Sequence, residues 1–295
     1  MPQATLSLRH FLLAMAVVCV WGTNFVVIKL ALGQLPPLLF AALRFTLAIV
    51  PAIFFLPRPA VSLGNLALYG VLIGVGQFGL LYIAMNGHIS PGIASLVVQT
   101  QVFFTIGMAM RLTGERVQAF QWFALLLATV GIATIGLHTD GTTTLLGLAL
   151  VLIAALCWAG GNTAAKQGKA PNMLAYVVWS SAFAVPPLFA LSLALEGWDS
   201  VSTGIRSASL QTWAAVAWQA WGNTLFGYAA WGWLLARHPA ATITPMALLI
   251  PVFGMGASAL WLGEPLPAWK LVAAALVMGG LAVNLLWPRV FRPAP

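Results

Sequence analysis

Ten stretches of the chain are apolar for about 20 residues each, and this pattern limits the possible fold more than any other feature. The hydrocarbon core of a bilayer is about 30 Å thick, which about 20 helical residues span. Long apolar runs such as ALLLATVGIATIG do not alternate, unlike the strands of a membrane β-barrel. The predicted membrane helices cover residues 11–32, 37–56, 66–85, 92–110, 119–137, 145–166, 173–195, 211–235, 241–262 and 269–287.

The composition agrees with a membrane protein. Of 295 residues, 61% are hydrophobic and 6% are charged, whereas a soluble domain carries about 25% charged residues. The 13 basic residues are scattered singly rather than in a stripe, which argues against nucleic-acid binding. Cys19 and Cys157 both lie in apolar segments, which argues against a disulfide framework or a zinc site. We therefore expect an all-α membrane protein without a metal or cofactor.

The distribution of basic residues predicts the orientation of the chain. An even number of membrane helices places both termini on one side of the bilayer. If that side is the cytoplasm, nine Lys and Arg residues fall on the inner side, whereas Lys29, Arg206 and Lys270 fall on the outer side. This excess follows the positive-inside rule. The sequence therefore predicts a multi-pass protein with both termini in the cytoplasm.

Two internal repeats are visible in the sequence. Residues 17–29 read VVCVWGTNFVVIK and residues 154–166 read AALCWAGGNTAAK, so that Trp, Asn and Lys recur in the same order. Gly114-Glu115 and Gly263-Glu264 close the fourth and the ninth predicted helix, which is the same position in each half. We therefore predict two five-helix repeats, residues 11–137 and 145–287. Because five is odd, the second repeat enters the bilayer inverted, as in secondary transporters whose site lies near the midplane.

Several motifs resemble those of a known transporter family. They read WGTNFVVIK, LPPLLFAALRF, PGIASLVVQTQVFFT, WAGGN and PVFGMGASALWLGE. In order and spacing they resemble the EamA family of the drug/metabolite transporter superfamily, and most of all its bacterial inner-membrane exporters of cysteine-type and aromatic amino acids. The resemblance covers nearly the whole chain. It implies a ten-helix bundle with a central cavity that exports small metabolites from a bacterial cell, and it does not fix the substrate.

Two pairs of residues are predicted to lie near the middle of the bilayer. At 1.5 Å per residue, Trp21 and Asn24 lie about 15 and 20 Å into the first helix, and Trp158 lies about 20 Å into the sixth. These tryptophans are too deep for the interfacial belt. Trp21/Asn24 and Trp158/Asn162 each share one helix face. We expect them to line a substrate cavity, with helix–helix packing as the alternative.

Other polar, aromatic or thioether side chains interrupt the apolar helices in the same way. Walls of this kind suit amphipathic solutes better than sugars. Gln101 points about 200° away from Gln99 on a regular helix, so both glutamines cannot face one cavity from such a helix. Packing between helices is again the alternative for each candidate. The further candidate substrate contacts are Gln77, Tyr82, Ser95, Gln99, Gln219, Asn223, Tyr228 and Met246.

Arg44 is the one strongly basic residue well inside a predicted helix. It lies about seven residues into the second helix, and no Asp or Glu occurs within any predicted helix. A charge at that depth is costly and by default faces the bundle or water. Two interpretations remain open. Arg44 contacts a substrate carboxylate, or its side chain extends to the outer headgroups or caps helix-end carbonyls.

Several transport and enzyme mechanisms need residues or motifs that the predicted helices lack. Proton pumps usually relay protons through intramembrane Asp, Glu or His, and the sequence has no GxxxxGK[ST] motif for ATP. An intramembrane enzyme would need paired carboxylates or HExxH, so we expect no enzyme. We favour gradient-driven export of amino acids by alternating access. A same-fold exporter of drugs or other metabolites, proton exchange, and a monomer or weak homodimer all remain open.

Overall fold

The structure is all-helical over the part of the chain that it describes. The computed structural model covers residues 6–113, 118–138 and 141–290, in which it contains no β-strand. A short helix, Trp198–Ser207, joins the seventh and eighth of ten longer helical runs. These runs are α1 (Leu8–Ala31), α2 (Pro37–Ile49), α3 (Leu63–Met85), α4 (Pro91–Arg111), α5 (Ala119–Leu137), α6 (Leu145–Gly168), α7 (Met173–Glu196), α8 (210–237), α9 (Thr244–Leu262) and α10 (Ala268–Val290).

Nine of these runs, all except α8, are long and apolar enough to cross a bilayer within the described ranges. The run α8 is long enough, but Gln219, Asn223 and five tryptophans make it less apolar than the others. The chain is therefore a multi-pass helical membrane protein, and the tenth crossing remains a prediction. Glu115, one member of the repeated Gly-Glu pair, lies outside the described residues.

Side-chain caps begin several helices and recur in the two halves of the chain. The hydroxyl oxygens of Ser62 and Ser209 accept the N–H groups of Asn65 and Thr212, at the starts of α3 and α8. Ser7 and Thr144 cap α1 and α6, the first helices of the two halves, in the same way. Each cap satisfies an N–H group that the first helical turn leaves unpaired.

Irregular helical segments also recur in the two halves. A π-helical segment occupies Val71–Gly79 of α3 and another occupies Trp218–Phe226 of α8, and the two begin at the same distance from their helix caps. A tight 3₁₀ segment, Val98–Thr100, interrupts α4, and Thr244–Leu249 begins α9. Such segments are often found at functional sites because they redirect side chains that a regular helix would place elsewhere.

Contacts between helix ends divide the bundle into two ends. At the terminus end, where α1 begins, His10 Nδ1 lies 2.7 Å from His238 Nε2 beyond α8. At the same end, the Tyr176 hydroxyl donates to Asn65 Oδ1 over 2.7 Å, which joins the starts of α7 and α3. Because short connections join antiparallel helices, the connection that follows α1 and the one that follows α3 lie at the other end of the bundle.

The opposite end, which we call the far end, is held by polar contacts across the two halves. Thr212 donates its hydroxyl to Gln34 Oε1 over 2.5 Å, and Thr144 donates to the carbonyl of His88 over 3.0 Å. Close helix approach also occurs nearer the terminus end, in the first half of α3. A Cβ atom added to Gly70 of α3 would overlap the carbonyl oxygen of Ser180 in α7.

A buried carboxylate forms the centre of the far end. Glu264, in the connection between α9 and α10, accepts from Ser90 Oγ over 2.5 Å, Gly92 N–H over 3.0 Å and Lys270 Nζ over 2.9 Å, and also from Ser258 Oγ. Burial raises the pKa of this carboxyl, whereas the four hydrogen bonds lower it. Together the hydrogen bonds outweigh burial, so the pKa lies below its ordinary value. Glu264 thereby ties the start of α4 to α9 and α10.

The contact of α3 with α7 predicts opposite effects for two glycines of the same helix. Gly70→Ala should destabilise the protein by about 1–3 kcal/mol, because its methyl group meets backbone that cannot move away. Gly64→Ala is the matched control, since nothing lies within 4 Å of the added Cβ atom. The control should leave stability unchanged or raise it by up to about 1 kcal/mol. Thermal unfolding in detergent measures both, and equal midpoints for the two variants would contradict this packing.

The Glu264 network predicts a pH-dependent contribution to stability. Glu264→Gln should cost about 3 kcal/mol at pH 7, because Lys270 is then buried without a counter-charge. The pKa of Glu264 is lower in the folded protein than in the unfolded chain, where it is about 4.3. The stabilisation from its charge is therefore complete above that unfolded pKa and is lost as the pH falls through the folded pKa. Thermal midpoints of wild type and variant should therefore converge only in strongly acidic buffer.

Two controls accompany this measurement. Asp199→Asn removes an exposed carboxylate and should shift the midpoint little at any pH. Glu264→Gln combined with Lys270→Met removes both charges and should recover much of the lost stability. A difference between wild type and Glu264→Gln that persists unchanged in strong acid would show that the carboxylate charge does not carry the effect.

Candidate substrate-binding site

A central cavity of about 780 Å³ lies between the helices of the two halves. Its volume is in the range of small-molecule sites. The cavity reaches the terminus end, where Leu235 and Ala236 in the last turn of α8 contribute to its wall. At the far end, Leu35 and Met85 are at most 2% exposed, so the bundle is closed there.

Eight of the side chains predicted as substrate contacts line this cavity. They come from both repeats and from helices α1, α3, α4, α6 and α8, and none of the described lining residues carries a charge. The wall is therefore mostly aromatic and aliphatic, with amides as its main polar groups. The predicted residues found in the lining are Trp21, Asn24, Gln77, Gln99, Trp158, Asn162, Asn223 and Tyr228.

An aromatic wall forms where α1 meets α8. Trp21 Nε1 donates to the carbonyl of Asn223, in the π-helical segment, over 3.1 Å. The indole fits against Gly227, because a Cβ atom at that position would overlap Trp21 Nε1. Its ring centroid lies 5.9 Å from that of Tyr228 and 5.3 Å from that of Trp231. Trp21 is thus fixed on one edge and presents aromatic surface to the cavity.

Helices α4 and α6 also contribute amides to the cavity wall. Gln99 and Gln101 both line the cavity, although a regular helix would point them apart. The 3₁₀ segment Val98–Thr100 lies directly between α4's two regular parts and changes the angle between successive side chains. Gln101 is held in place because its Oε1 accepts the amide of Asn162 over 2.9 Å.

Three lining amides keep unused hydrogen-bonding atoms. Among the described residues, Gln77 Oε1, Gln99 Nε2 and Asn284 Oδ1 are buried and have no hydrogen-bond partner. Buried polar atoms are rarely left unpaired, because the desolvation cost is about 1–3 kcal/mol. Two acceptors and one donor are therefore available to a solute in the cavity.

Arg44 lies behind the wall instead of within it. The side chain is completely buried, so the interpretation that it extends to the headgroups is wrong. Its Nη1 donates to the Tyr82 hydroxyl and its Nη2 donates to Thr224 Oγ1, each over 3.0 Å. The guanidinium carbon lies 3.6 Å from the ring centroid of Phe78, which lines the cavity. Arg44 and Tyr82 are therefore one side chain away from the solute space.

Three other candidates also lie outside the lining, and of these Met246 is only partly buried. Gln219 is fully buried and donates Nε2–H to Asn24 Oδ1 over 2.5 Å. Ser95 donates to the carbonyl of Gly92, and Met246 packs against the hydrophobic core. For Ser95 and Met246, the packing interpretation thus describes their contacts. Gln219 instead supports a lining residue.

Sequence reasoning missed several lining residues that carry polar atoms, Gln101 and Thr244 among them. Tyr69 of α3 and Asn284 of α10 both contribute to the cavity wall. Asn284 stands as a lone amide within the apolar run LAVNLL, a signal of the same kind as Asn24. No group of three or more His, Cys, Asp or Glu residues that could hold a metal ion is present in the described ranges. The arrangement can bind an amphipathic solute through ring faces and amides.

Nearly the whole chain is similar in sequence to known proteins. A probable amino-acid metabolite efflux pump of Salmonella typhimurium is 38% identical over 98% of this chain and 99% of its own length. A protein of the same description from Escherichia coli K12 is 38% identical over 95% of this chain and 96% of its own. A solved crystal structure shares the fold with a TM-score of 0.62 at 18% identity, covering 97% of this chain and 99% of the other.

The model of the EamA-like transporter family matches residues 8–137 and again residues 145–286. These two ranges together cover almost all of the chain. On this evidence, the chain belongs to the EamA-like transporter family.

Proposed function

We propose that this protein exports amino acids and related small metabolites across the inner membrane by alternating access. The observation that carries the proposal is the uncharged 780 Å³ cavity, whose aromatic walls and amides suit an amphipathic solute of that size. The two relatives at 38% identity are named as amino-acid metabolite efflux pumps, which supports the same substrate class. Aromatic, other hydrophobic and cysteine-type amino acids are the side chains that this wall suits best.

We further propose that residues 11–137 and 145–287 form two inverted five-helix repeats, with α8 as a tenth membrane crossing. The helix caps and the π-helical segments, which recur in the same order in α3 and α8, support this arrangement. So does the double match of the family model. In an inverted repeat, the same local irregularity in α3 and α8 provides equivalent bending points on opposite sides of the membrane.

The orientation that we propose places both termini in the cytoplasm. The cavity reaches the terminus end and the far end is closed, so this orientation corresponds to a state that loads metabolites from the cytoplasm. One chain encloses the whole cavity, and transport therefore needs no second subunit. None of the described lining residues is charged, which supports export driven by the substrate's own concentration gradient.

Removing the aromatic wall should impair export. Trp21→Ala and Trp158→Ala should each lower the initial rate of amino-acid counterflow in liposomes by about tenfold at subsaturating substrate, because each removes a ring face from the cavity. Labelled aromatic, branched and sulfur-containing amino acids should be compared. Asn24→Ala should have a similar effect, since it removes a lining amide.

Trp261→Ala is the matched control, because Trp261 is 67% exposed on the outer surface of α9. It should transport at the wild-type rate when reconstituted in equal amount. Normal counterflow by all three cavity variants would overturn the proposed site. An absence of counterflow by the wild-type protein with every amino acid tested would overturn the proposed substrate class.

A further inference from the structure

We propose that Arg44 is a positioning residue that orients a chain of hydrogen bonds ending in Asn24, and that Asn24 binds the carboxylate of the substrate. The inference rests on the proposed function in taking the cavity as the substrate site. It names the chemical class that the cavity selects: solutes that carry a carboxylate beside an apolar or aromatic group.

The series of hydrogen bonds passes through four side chains from α2 to the cavity. Arg44 Nη1 donates to the Tyr82 hydroxyl over 3.0 Å, and that hydroxyl donates to Gln219 Oε1 over 3.2 Å. Gln219 Nε2 then donates to Asn24 Oδ1 over 2.5 Å. Arg44, Tyr82 and Gln219 are completely buried, whereas Asn24 reaches the cavity lining.

The guanidinium fixes the direction of every bond in this chain. An arginine side chain only donates hydrogen bonds, so the Tyr82 oxygen accepts from it and the Tyr82 proton is directed to the next group. Gln219 must then accept with its oxygen and donate with its nitrogen. The same reasoning leaves Asn24 with its oxygen occupied and its NH₂ group as the part that faces the solute.

The positive charge at the head of the chain has no carboxylate paired with it. In the described ranges, the one ion pair between side chains joins Lys270 and Glu264 at the far end. Glu196, near the start of α2, accepts instead from the backbone N–H groups of Leu38 and Leu39 over 2.6 and 3.1 Å. Bonds in a chain headed by a cation polarise one another, so the terminal N–H of Asn24 becomes a stronger donor to an anion.

The remaining free groups of the cavity fit the rest of an amino acid. Gln77 Oε1 is an unpaired acceptor, which suits an ammonium group. Phe78 separates the guanidinium from the cavity, so Arg44 acts through Tyr82 and not by direct contact. A cationic solute without a carboxylate meets the positive end of the chain and is disfavoured.

The test compares a carboxylate with its neutral isostere. Isothermal titration of the purified protein in detergent, with phenylpropionate and phenylpropionamide, should show about tenfold tighter binding of the carboxylate to the wild type. Tyr82→Phe keeps the charge and volume but breaks the chain, and should reduce this ratio to about twofold or less. Arg44→Met should reduce the ratio likewise, and Arg44→Lys should restore part of it.

Tyr176→Phe is the matched control, because it removes a hydroxyl that bonds Asn65 at the terminus end. It should keep the tenfold preference. Equal affinities of the wild type for both ligands, or a full preference in Tyr82→Phe, would overturn the inference. A carboxylate preference in a protein that fails to export amino acids would instead overturn the proposed function and leave the inference intact.

Discussion

The buried guanidinium of Arg44 determines the polar order at the centre of the bundle. A charge in this position is costly. It persists because Tyr82 and Thr224 accept hydrogen bonds from the guanidinium and the ring of Phe78 covers its face. Neither lipid nor water satisfies these groups, so helices α1, α2, α3 and α8 must meet at one point. The cavity lies directly beside that point. Its uncharged lining therefore has one charged side chain, Arg44, behind it.

Two of the same helices, α3 and α8, carry the π-helical segments that we propose as bending points. The π-helical parts of α3 and α8 interrupt two otherwise regular helices, and both adjoin the cavity. Around the closed far end, by contrast, polar contacts such as that of Glu264 with Lys270 tie separate helices together. This arrangement supports the proposed exchange of one closed end for the other around an intact centre.

Length and hydrophobicity alone predicted nearly all helices of this fold, because the thickness of the bilayer constrains a membrane helix strongly. Isolated polar residues in apolar helices, such as Asn24 and Asn162, were informative for a related reason: hydrocarbon penalises an unpaired amide. The local helix geometry was not predictable. Gln101 faces the cavity because a 3₁₀ segment precedes it. No residue pattern in the sequence predicts that segment. Nor could sequence separate the supporting Gln219 from the lining Asn24, since both are amides at similar depth.

The central claim is that the far end opens as the terminus end closes during export. Leu35, in the connection between α1 and α2, is 2% exposed in the present state. Leu35→Cys should be introduced into a protein whose Cys19 and Cys157 are replaced by alanine, and the rate of its modification by a membrane-impermeant thiol reagent should be measured from the outer face. The account predicts slow modification that substrate accelerates. A rate that stays unchanged while the same vesicles export substrate would contradict it.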